Sequence, residues 1–195
     1  MHALVLAALL ARAPFWETKP PQEWTVEEMD EIFSDSPWAK LIALETVVGK
    51  APAVQVYLAT ARPMQDAEAE ARRRRRSKPS EEDGYDEYRQ LLAENPGKYI
   101  VLAVRLPHPD ALSDPNESNR MESETYLQVG KRKEKLVGHF PPTPSDPMLR
   151  LIFPQAVEPG DKVFRLELYL PSVPAPYRRV EFYLKELLYQ GKPEM

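Results

Sequence analysis

Regular alternation of apolar and polar residues marks the segment Val163-Phe164-Arg165-Leu166-Glu167-Leu168-Tyr169-Leu170. In an extended backbone, the even-numbered Phe and Leu side chains point to one face, and the odd-numbered Val, Arg, Glu and Tyr side chains point to the other. The same alternation returns at residues 180–184, after a proline-rich loop. The pattern predicts two neighbouring antiparallel strands, each with one face on a core and one face in water.

Shorter apolar segments extend this layer in both directions. They predict strands over residues 41–48, 53–59, 99–106, 125–129, 136–140 and 148–153. We expect residues 125–129 and 136–140 to form a hairpin around the charged turn 130–133. The segment 99–106 is apolar at nearly every position, which is typical of a central strand covered on both faces.

Helix signals are concentrated in the first half of the chain. Thr25 and Glu28 form a capping box that predicts a helix over residues 26–33. A second helix is expected from Pro63, with Glu68–Arg72 and Glu70–Arg74 as ion pairs one turn apart. A third is expected up to residue 94, whereas the polar segment 108–121 is expected to be an exposed loop.

The composition fits one domain with its own core. The chain has 195 residues, of which 43% are apolar, and 21 prolines against 7 glycines. We predict an α+β, mainly β fold, an antiparallel β-sandwich or partly open barrel of seven to nine strands with short helices in the N-terminal half. The expected domain spans residues 14–195.

The N-terminal segment indicates export. Residues 3–11 form an apolar run that is too short to span a bilayer, which needs about 20 residues. Ala11-Arg12-Ala13 has the A-x-A shape of a signal-peptidase site. We therefore expect residues 1–13 to be a signal peptide and the protein to be periplasmic or secreted. The alternative is an N-terminal helix on a cytoplasmic protein.

Catalytic and cofactor signatures are missing from the sequence. It has no cysteine, which excludes disulfides and thiol catalysis. It also has no dinucleotide-binding, P-loop or nucleophile-elbow motif, and no histidine pair with metal-ligand spacing, so we expect no cofactor and no metal. One conceivable catalytic site would bring His108, Asp110 and His139 together in a hydrolase or a sugar-acting enzyme.

The run Arg72 to Arg76 is the strongest candidate for an anion site. Arginines such as Arg74, Arg75 and Arg76 can bind phosphates. However, glutamates precede the run by one helical turn, which is typical of a helix C-terminus that balances its own charge. The net charge of −4 also argues against a nucleic-acid partner.

The three tryptophans, Trp16, Trp24 and Trp38, all lie in the first forty residues. They can anchor the N-terminal segment on the sheet, or form an exposed surface for a partner or a glycan. Both interpretations stay open at the level of the sequence.

Several motifs resemble an uncharacterised family of exported bacterial proteins. They are Phe15-Trp16-Glu17, Glu23-Trp24-Thr25 and Asp35-Ser36-Pro37-Trp38-Ala39-Lys40 near the start, Val56-Tyr57-Leu58-Ala59-Thr60-Ala61-Arg62-Pro63-Met64 in the middle, and Phe182-Tyr183-Leu184-Lys185-Glu186-Leu187-Leu188-Tyr189-Gln190-Gly191-Lys192 near the end. The last is similar to the family's closing strand, with Leu187 where Met is usual. The resemblance implies export and one compact β-rich unit, and it carries over no site residues.

Together these observations favour an exported, non-enzymatic module that is not membrane-spanning and acts through a protein partner. The alternatives are an enzyme that uses loop residues near His108, and a polyanion-binding protein that uses Arg72 to Arg76. Composition and motifs leave the choice among them open.

Overall fold

The computed structural model of the protein describes residues 13–44, 53–75 and 84–195. Helices cover about 34% of these residues and strands about 31%. The helices are α1 (Phe15–Thr18), α2 (Val26–Ser34), α3 (Arg62–Arg75), α4 (Gly84–Glu94) and α5 (Pro115–Glu124), with single 3-10 segments at Pro21–Glu23 and Pro109–Ser113. The strands are β1 (Ala39–Ala43), β2 (Ala53–Leu58), β3 (Tyr99–Val104), β4 (Tyr126–Val129), β5 (Arg132–Lys135), β6 (Gly138–Phe140), β7 (Leu149–Pro154), β8 (Val163–Tyr169), β9 (Tyr177–Tyr183), β10 (Leu188–Tyr189) and β11 (Lys192–Pro193).

The strands form two main sheets and one small pair. The larger sheet has the order β1-β2-β3-β7-β6, the second has the order β5-β4-β8-β9, and β10 pairs with β11. Every pairing is antiparallel. The predicted α+β class, with antiparallel sheets in a sandwich-like open arrangement and short helices, is confirmed. Within the described residues, nine strands are three residues or longer.

The pairing of β8 with β9 places the alternating residues as the sequence predicts. Phe164 lies opposite Phe182, and Leu166 lies opposite Val180. The two phenylalanine rings stack with their centroids 5.0 Å apart. Phe164, Phe182 and Leu166 are fully buried, while Arg165 is half-buried on the other face and pairs with Glu181. The predicted strand pair is confirmed.

The central position of β3 is also confirmed, since it lies between β2 and β7 and its last five residues are buried. The predicted hairpin between residues 125–129 and 136–140 is wrong. The charged segment β5 pairs with β4 through a turn at Gly130, whose φ of 57° is the left-handed conformation that glycine tolerates. The chain then crosses to the other sheet, where β6 pairs with β7.

The loop predicted over residues 108–121 is another error, because a 3-10 turn and α5 occupy most of it. Asp114 is the N-cap of α5, and its carboxylate accepts a hydrogen bond from the backbone N–H of Asn116 at 2.9 Å. Pro115 occupies the first helical position, where its fixed φ is favourable. The pair Asp114-Pro115 is a helix-start signal. The prediction gave more weight to the polar composition of the segment, which is typical of a loop.

The N-terminal part of the fold follows the sequence closely. The capping box of α2 is present, with Glu28 N–H donating to the Thr25 hydroxyl at 3.1 Å. Strands β1 and β2 pair antiparallel as expected, although the end of the first predicted strand, residues 45–48, and the predicted turn, residues 49–52, lie outside the described residues. The indole N–H of Trp38 donates to the backbone carbonyl of Glu194 at 3.0 Å, and the Glu194 carboxylate accepts from the backbone N–H of Arg62 at 2.8 Å. This contact ties the C-terminal segment to the start of α3.

Within the described part of the chain, no helix has both the length and the apolar composition needed to cross a membrane.

Candidate functional site: a cleft above buried ions

A cleft of about 510 Å³ lies between α2, α3 and one face of the five-stranded sheet. Helix α2 contributes apolar side chains, among them Met29 and Phe33, and the sheet contributes Tyr57 and Arg150. The volume is within the range of 300–1,000 Å³ that is typical of small-molecule sites. The cleft is therefore large enough for an organic ligand.

The wall of this cleft that is formed by the sheet, α3 and the loop before β7 contains a group of buried charges. The Arg150 Nη1 donates to Glu68 Oε1 at 2.7 Å, and its Nε donates to Asp146 Oδ2 at 2.8 Å. The Tyr57 hydroxyl donates to the same Glu68 oxygen at 2.6 Å. Arg150 is only 1% exposed and Glu68 only 4%. We call Arg150, Glu68, Asp146 and Tyr57 the buried ion network.

Two tyrosines of α4 cover the guanidinium of Arg150. Its Cζ lies 4.2 Å from the centroid of the Tyr88 ring and 5.0 Å from that of Tyr85. The Tyr88 hydroxyl donates to the carbonyl of Ala59 at 3.0 Å, which fixes the ring. A desolvated cation over aromatic faces gains roughly 2 kcal/mol or more from cation–π attraction, and this offsets part of the cost of burial.

One acceptor of the network has no partner. Glu68 Oε2 is buried and accepts no hydrogen bond from any described residue, whereas Oε1 accepts two. Burial raises the pKa of Glu68 above its ordinary value, although the charge of Arg150 opposes the rise. For Arg150, burial is the largest single influence and would lower the pKa, but the attraction of Glu68 and Tyr57 and the hydrogen bond to Asp146 together outweigh it, so the pKa is raised. An unpaired buried carboxylate oxygen is costly, so it needs an explanation.

The mouth of the cleft is cationic. Among the described residues that line the cleft, the exposed charged side chains are Arg75, Arg105 and Asp30, two cations against one anion. Arg75 and Arg105 are exposed, and neither guanidinium has a partner within residues 13–44, 53–75 and 84–195. The chain as a whole carries a net charge of −4, so this positive mouth is a local feature.

Some arginines of the run Arg72 to Arg76 stabilise the end of α3, and some line the cleft. Glu70 accepts from Arg73 at 2.7 Å and from Arg74 at 2.6 Å, and these bonds lower its pKa to about 2. Arg74 also donates to the carbonyl of Trp24 at 2.6 Å. The predicted Glu70–Arg74 pair is confirmed, and these two arginines hold the end of α3 in place. Arg76 lies outside the described residues.

The predicted Glu68–Arg72 pair is wrong, because Glu68 turns inward to Arg150. Arg72 instead donates to the carbonyl of Ser145 at 3.3 Å, and its Cζ lies 4.1 Å from the centroid of the Tyr85 ring. Helical spacing places Glu68 and Arg72 on one side of α3, but the buried Arg150 is the stronger partner for a desolvated carboxylate.

The candidate catalytic residues do not form one site. His139 lines a second cavity of about 340 Å³, where its Nδ1 lies 3.5 Å from Glu122 Oε1. His108 and Asp110 are exposed on the 3-10 turn and line neither of these two cavities. In the described part of the chain, no group of three His, Asp or Glu side chains could hold a metal ion.

The tryptophans are anchors of the N-terminal segment. Trp24 is 4% exposed and Trp38 is fully buried, and Trp16 is half-buried with its ring centroid 5.9 Å from that of Trp38. The indole N–H of Trp24 donates to the carbonyl of Lys19 at 3.1 Å. These contacts leave little aromatic surface for a glycan or a partner.

Sequence reasoning missed the buried ion network. Its one visible signal is Arg150, which is the only charge within the apolar segment 149–153. A charge in a strand that is buried on both faces requires buried partners. The identity of those partners depends on the approach of α3, which the sequence does not reveal.

No family model, curated protein or solved structure matches this chain.

Proposed function

We propose that this protein is an exported, non-enzymatic binding domain whose cleft receives an anionic ligand with an apolar body. The observation that carries the proposal is the pair of unpartnered arginines, Arg75 and Arg105, at the mouth of an apolar-walled cleft. An anion at the mouth gains charge-assisted hydrogen bonds from these guanidinium groups. Met29, Phe33 and Met148 offer the apolar contact below it.

Binding rather than catalysis is supported by the chemistry of the lining. The described lining residues include no histidine, and two of the three acidic lining residues, Glu68 and Asp146, are held by Arg150. A carboxylate fixed by an arginine is poorly placed to take up and release a proton in each turnover. The expected protein partner fits the proposal if that partner presents an acidic group beside an apolar side chain.

A fluorescent apolar anion tests the cleft directly. Anilinonaphthalene sulfonate combines a sulfonate with aromatic rings, so we expect saturable binding with enhanced fluorescence. The double change Arg75→Gln and Arg105→Gln should weaken this binding about tenfold, because two charge-assisted contacts are lost. Both positions are exposed, so the fold should not change.

Lys131→Gln is the matched control. Lys131 is exposed in the β4–β5 turn and lines neither of the two cavities, so its loss removes one positive charge elsewhere. Affinity for the probe should stay within about twofold, since exposed charges have small effects at a distance in physiological salt. Equal affinity of the double variant and the unchanged protein would refute the proposal.

Export has a separate test. The segments that support it are the apolar run at residues 3–11 and the A-x-A shape of Ala11 to Ala13. N-terminal sequencing of the protein recovered from its own cells should give a chain that starts at or near Pro14. An intact Met1 on protein from the cytoplasm would contradict this part of the proposal.

A further inference from the structure

Strand β9 leaves the four-stranded sheet with an open edge. It is the last strand of that sheet and, within the described part of the chain, it pairs only with β8. We infer that β9 pairs antiparallel with β9 of a second copy of this chain about a two-fold axis at Val180, so that the two sheets join. The inference goes beyond the proposed function and does not depend on the cleft.

The backbone of β9 carries hydrogen-bonding groups that point toward this edge. Successive residues of an antiparallel strand bond alternately to one side and to the other. Leu184 N–H donates to the carbonyl of Lys162 at 3.0 Å, which shows that the even-numbered residues of β9 bond to β8. The N–H and C=O groups of Arg179 and Glu181 therefore point away from β8, to the open edge.

Local contacts occupy the carbonyls at the two ends of this edge. The carbonyl of Tyr177 accepts a hydrogen bond from Arg178 Nη1 at 2.7 Å. The carbonyl of Tyr183 accepts one from the backbone N–H of Glu186 at 2.9 Å. The centre of the strand is therefore the part that can pair with another chain.

Side-chain charge favours a register centred on Val180. On the outer face, Arg179 Nε lies 2.6 Å from Glu167 Oε1 of β8. Arg165 Nε of β8 lies 2.5 Å from Glu181 Oε1 in the same way. In the proposed register, Arg179 lies opposite Glu181 of the second copy, so charges of alternating sign run across the junction. Opposite charges directly across a strand pair are stabilising, whereas like charges are destabilising.

The same register covers exposed aromatic surface. Tyr177 is 59% exposed and Tyr183 is 43% exposed, and both lie on the outer face of β9. They stand at equal spacing on either side of Val180, so Tyr177 comes opposite Tyr183 of the second copy. Aromatic pairs on neighbouring strands stabilise a sheet, and tyrosine is enriched at protein interfaces.

The other edge of the same sheet lacks this complementarity. Strand β5 carries Lys133 and Lys135, both exposed, and Lys131 lies exposed in the turn before it. Pairing of β5 with another β5 would place lysines against lysines. Lysines on an edge strand are a common protection against edge-to-edge association. Of the two edges of this sheet, the charges therefore favour β9 for self-association.

Sedimentation velocity on the whole chain tests the association. A short edge-to-edge interface is typical of a weak complex, so the protein concentration should extend to about 100 µM. We expect a concentration-dependent shift from monomer to dimer. A monomer throughout this range would overturn the inference. Growth beyond the dimer would also overturn it, because a two-fold contact closes on itself.

Two charge reversals test the register. Arg179→Glu places carboxylates opposite each other across the axis, and Glu181→Arg places guanidinium groups there. Each variant alone should dimerise at least about tenfold more weakly than the unchanged protein. A mixture of the two variants restores opposite charges on both sides of the axis, so it should recover most of the lost affinity. Full dimerisation of either single variant, or no association in the mixture, would overturn the inference.

Lys131→Glu is the matched control for net charge. It makes the same change of charge as Arg179→Glu, but it lies in the turn beside the opposite edge of the sheet. Its dimer affinity should stay within about twofold, because salt screens exposed charges at that distance. A loss as large as that of Arg179→Glu would mean that net charge, not the β9 edge, controls association. Recovery in the mixture of the two reversals also shows that both variants fold.

Discussion

The two main sheets of this protein differ in where their charged side chains lie. The four-stranded sheet buries Phe164, Phe182 and Leu166 and keeps its Arg165–Glu181 pair half-exposed on the outer face. The five-stranded sheet buries Arg150 beneath helices α3 and α4, where Glu68 of α3 and Asp146 of the loop before β7 are its buried acidic partners. An apolar sheet face needs only packing, whereas a buried arginine needs its partners in place. The second region is therefore the one with a defined chemical site.

The largest expected effect comes from breaking the buried ion network. Arg150→Met leaves Glu68 and Asp146 without compensation, and we expect the free energy of unfolding to fall by about 4 kcal/mol. Urea denaturation followed by circular dichroism measures it. The triple change Arg150→Met, Glu68→Leu and Asp146→Leu should recover most of the loss, since apolar replacement of a whole buried ion group is often neutral. A triple variant as unstable as Arg150→Met would mean that packing, not charge, limits this region.

The apolar region should respond somewhat less strongly. Leu166→Ala removes a fully buried side chain that pairs across to Val180, and we expect a loss of about 3 kcal/mol from the lost transfer energy and the cavity. The same denaturation assay applies. Leu188→Ala is the control, because Leu188 is 41% exposed and should change stability by less than about 1 kcal/mol.

The next largest effect is expected in how the free energy of unfolding changes as the pH falls. The arginines beside Glu70 lower its pKa from 4.5 to about 2, so the folded state prefers its ionised form. The stabilisation is present above pH 4.5 and is lost as the pH falls from there toward 2. We expect Glu70→Gln to be less stable than the unchanged protein at neutral pH and to lose less stability on acidification in this window.

Glu181→Gln provides the comparison for the acid response. Its carboxylate pairs with Arg165 on the outer face, where solvent screens the interaction. If Glu70→Gln and Glu181→Gln reduce the loss of stability on acidification equally, then the burial of Glu70 does not strengthen its interaction with the arginines.

The smallest effect is expected on the outer face of the four-stranded sheet. Arg165→Gln removes a pair in which both side chains are 33% exposed, and we expect a change of less than about 1 kcal/mol. The change should shrink further in high salt. A loss comparable to that of Leu166→Ala would show that this face is covered by something other than water.

The same contrast explains what the sequence can predict. The β8–β9 pair and the buried face of each strand were predictable, because alternation reports which face is buried. The start of α2 was predictable because Thr25 and Glu28 cap it locally. In each case the determining contacts lie within one element or between sequence neighbours.

The errors involve contacts between distant segments. The partner of β4 depended on a turn of two residues at Gly130, which placed charged β5 rather than apolar residues opposite it. Glu68 and Arg150 are 82 positions apart, so helical spacing favoured the local Arg72. That long-range contact forms part of the wall of the candidate cleft. The motif search instead selected Arg74 and the histidines, which have other roles or no common site.

The link between Trp38 and Glu194 bears on how the protein can be handled. The Glu194 carbonyl and carboxylate together hold a buried indole and the first turn of a long helix. A reporter group inserted next to Glu194 should therefore be joined through a flexible spacer. Deletion of Glu194 would remove both bonds and loosen the first turn of the helix that carries Glu68.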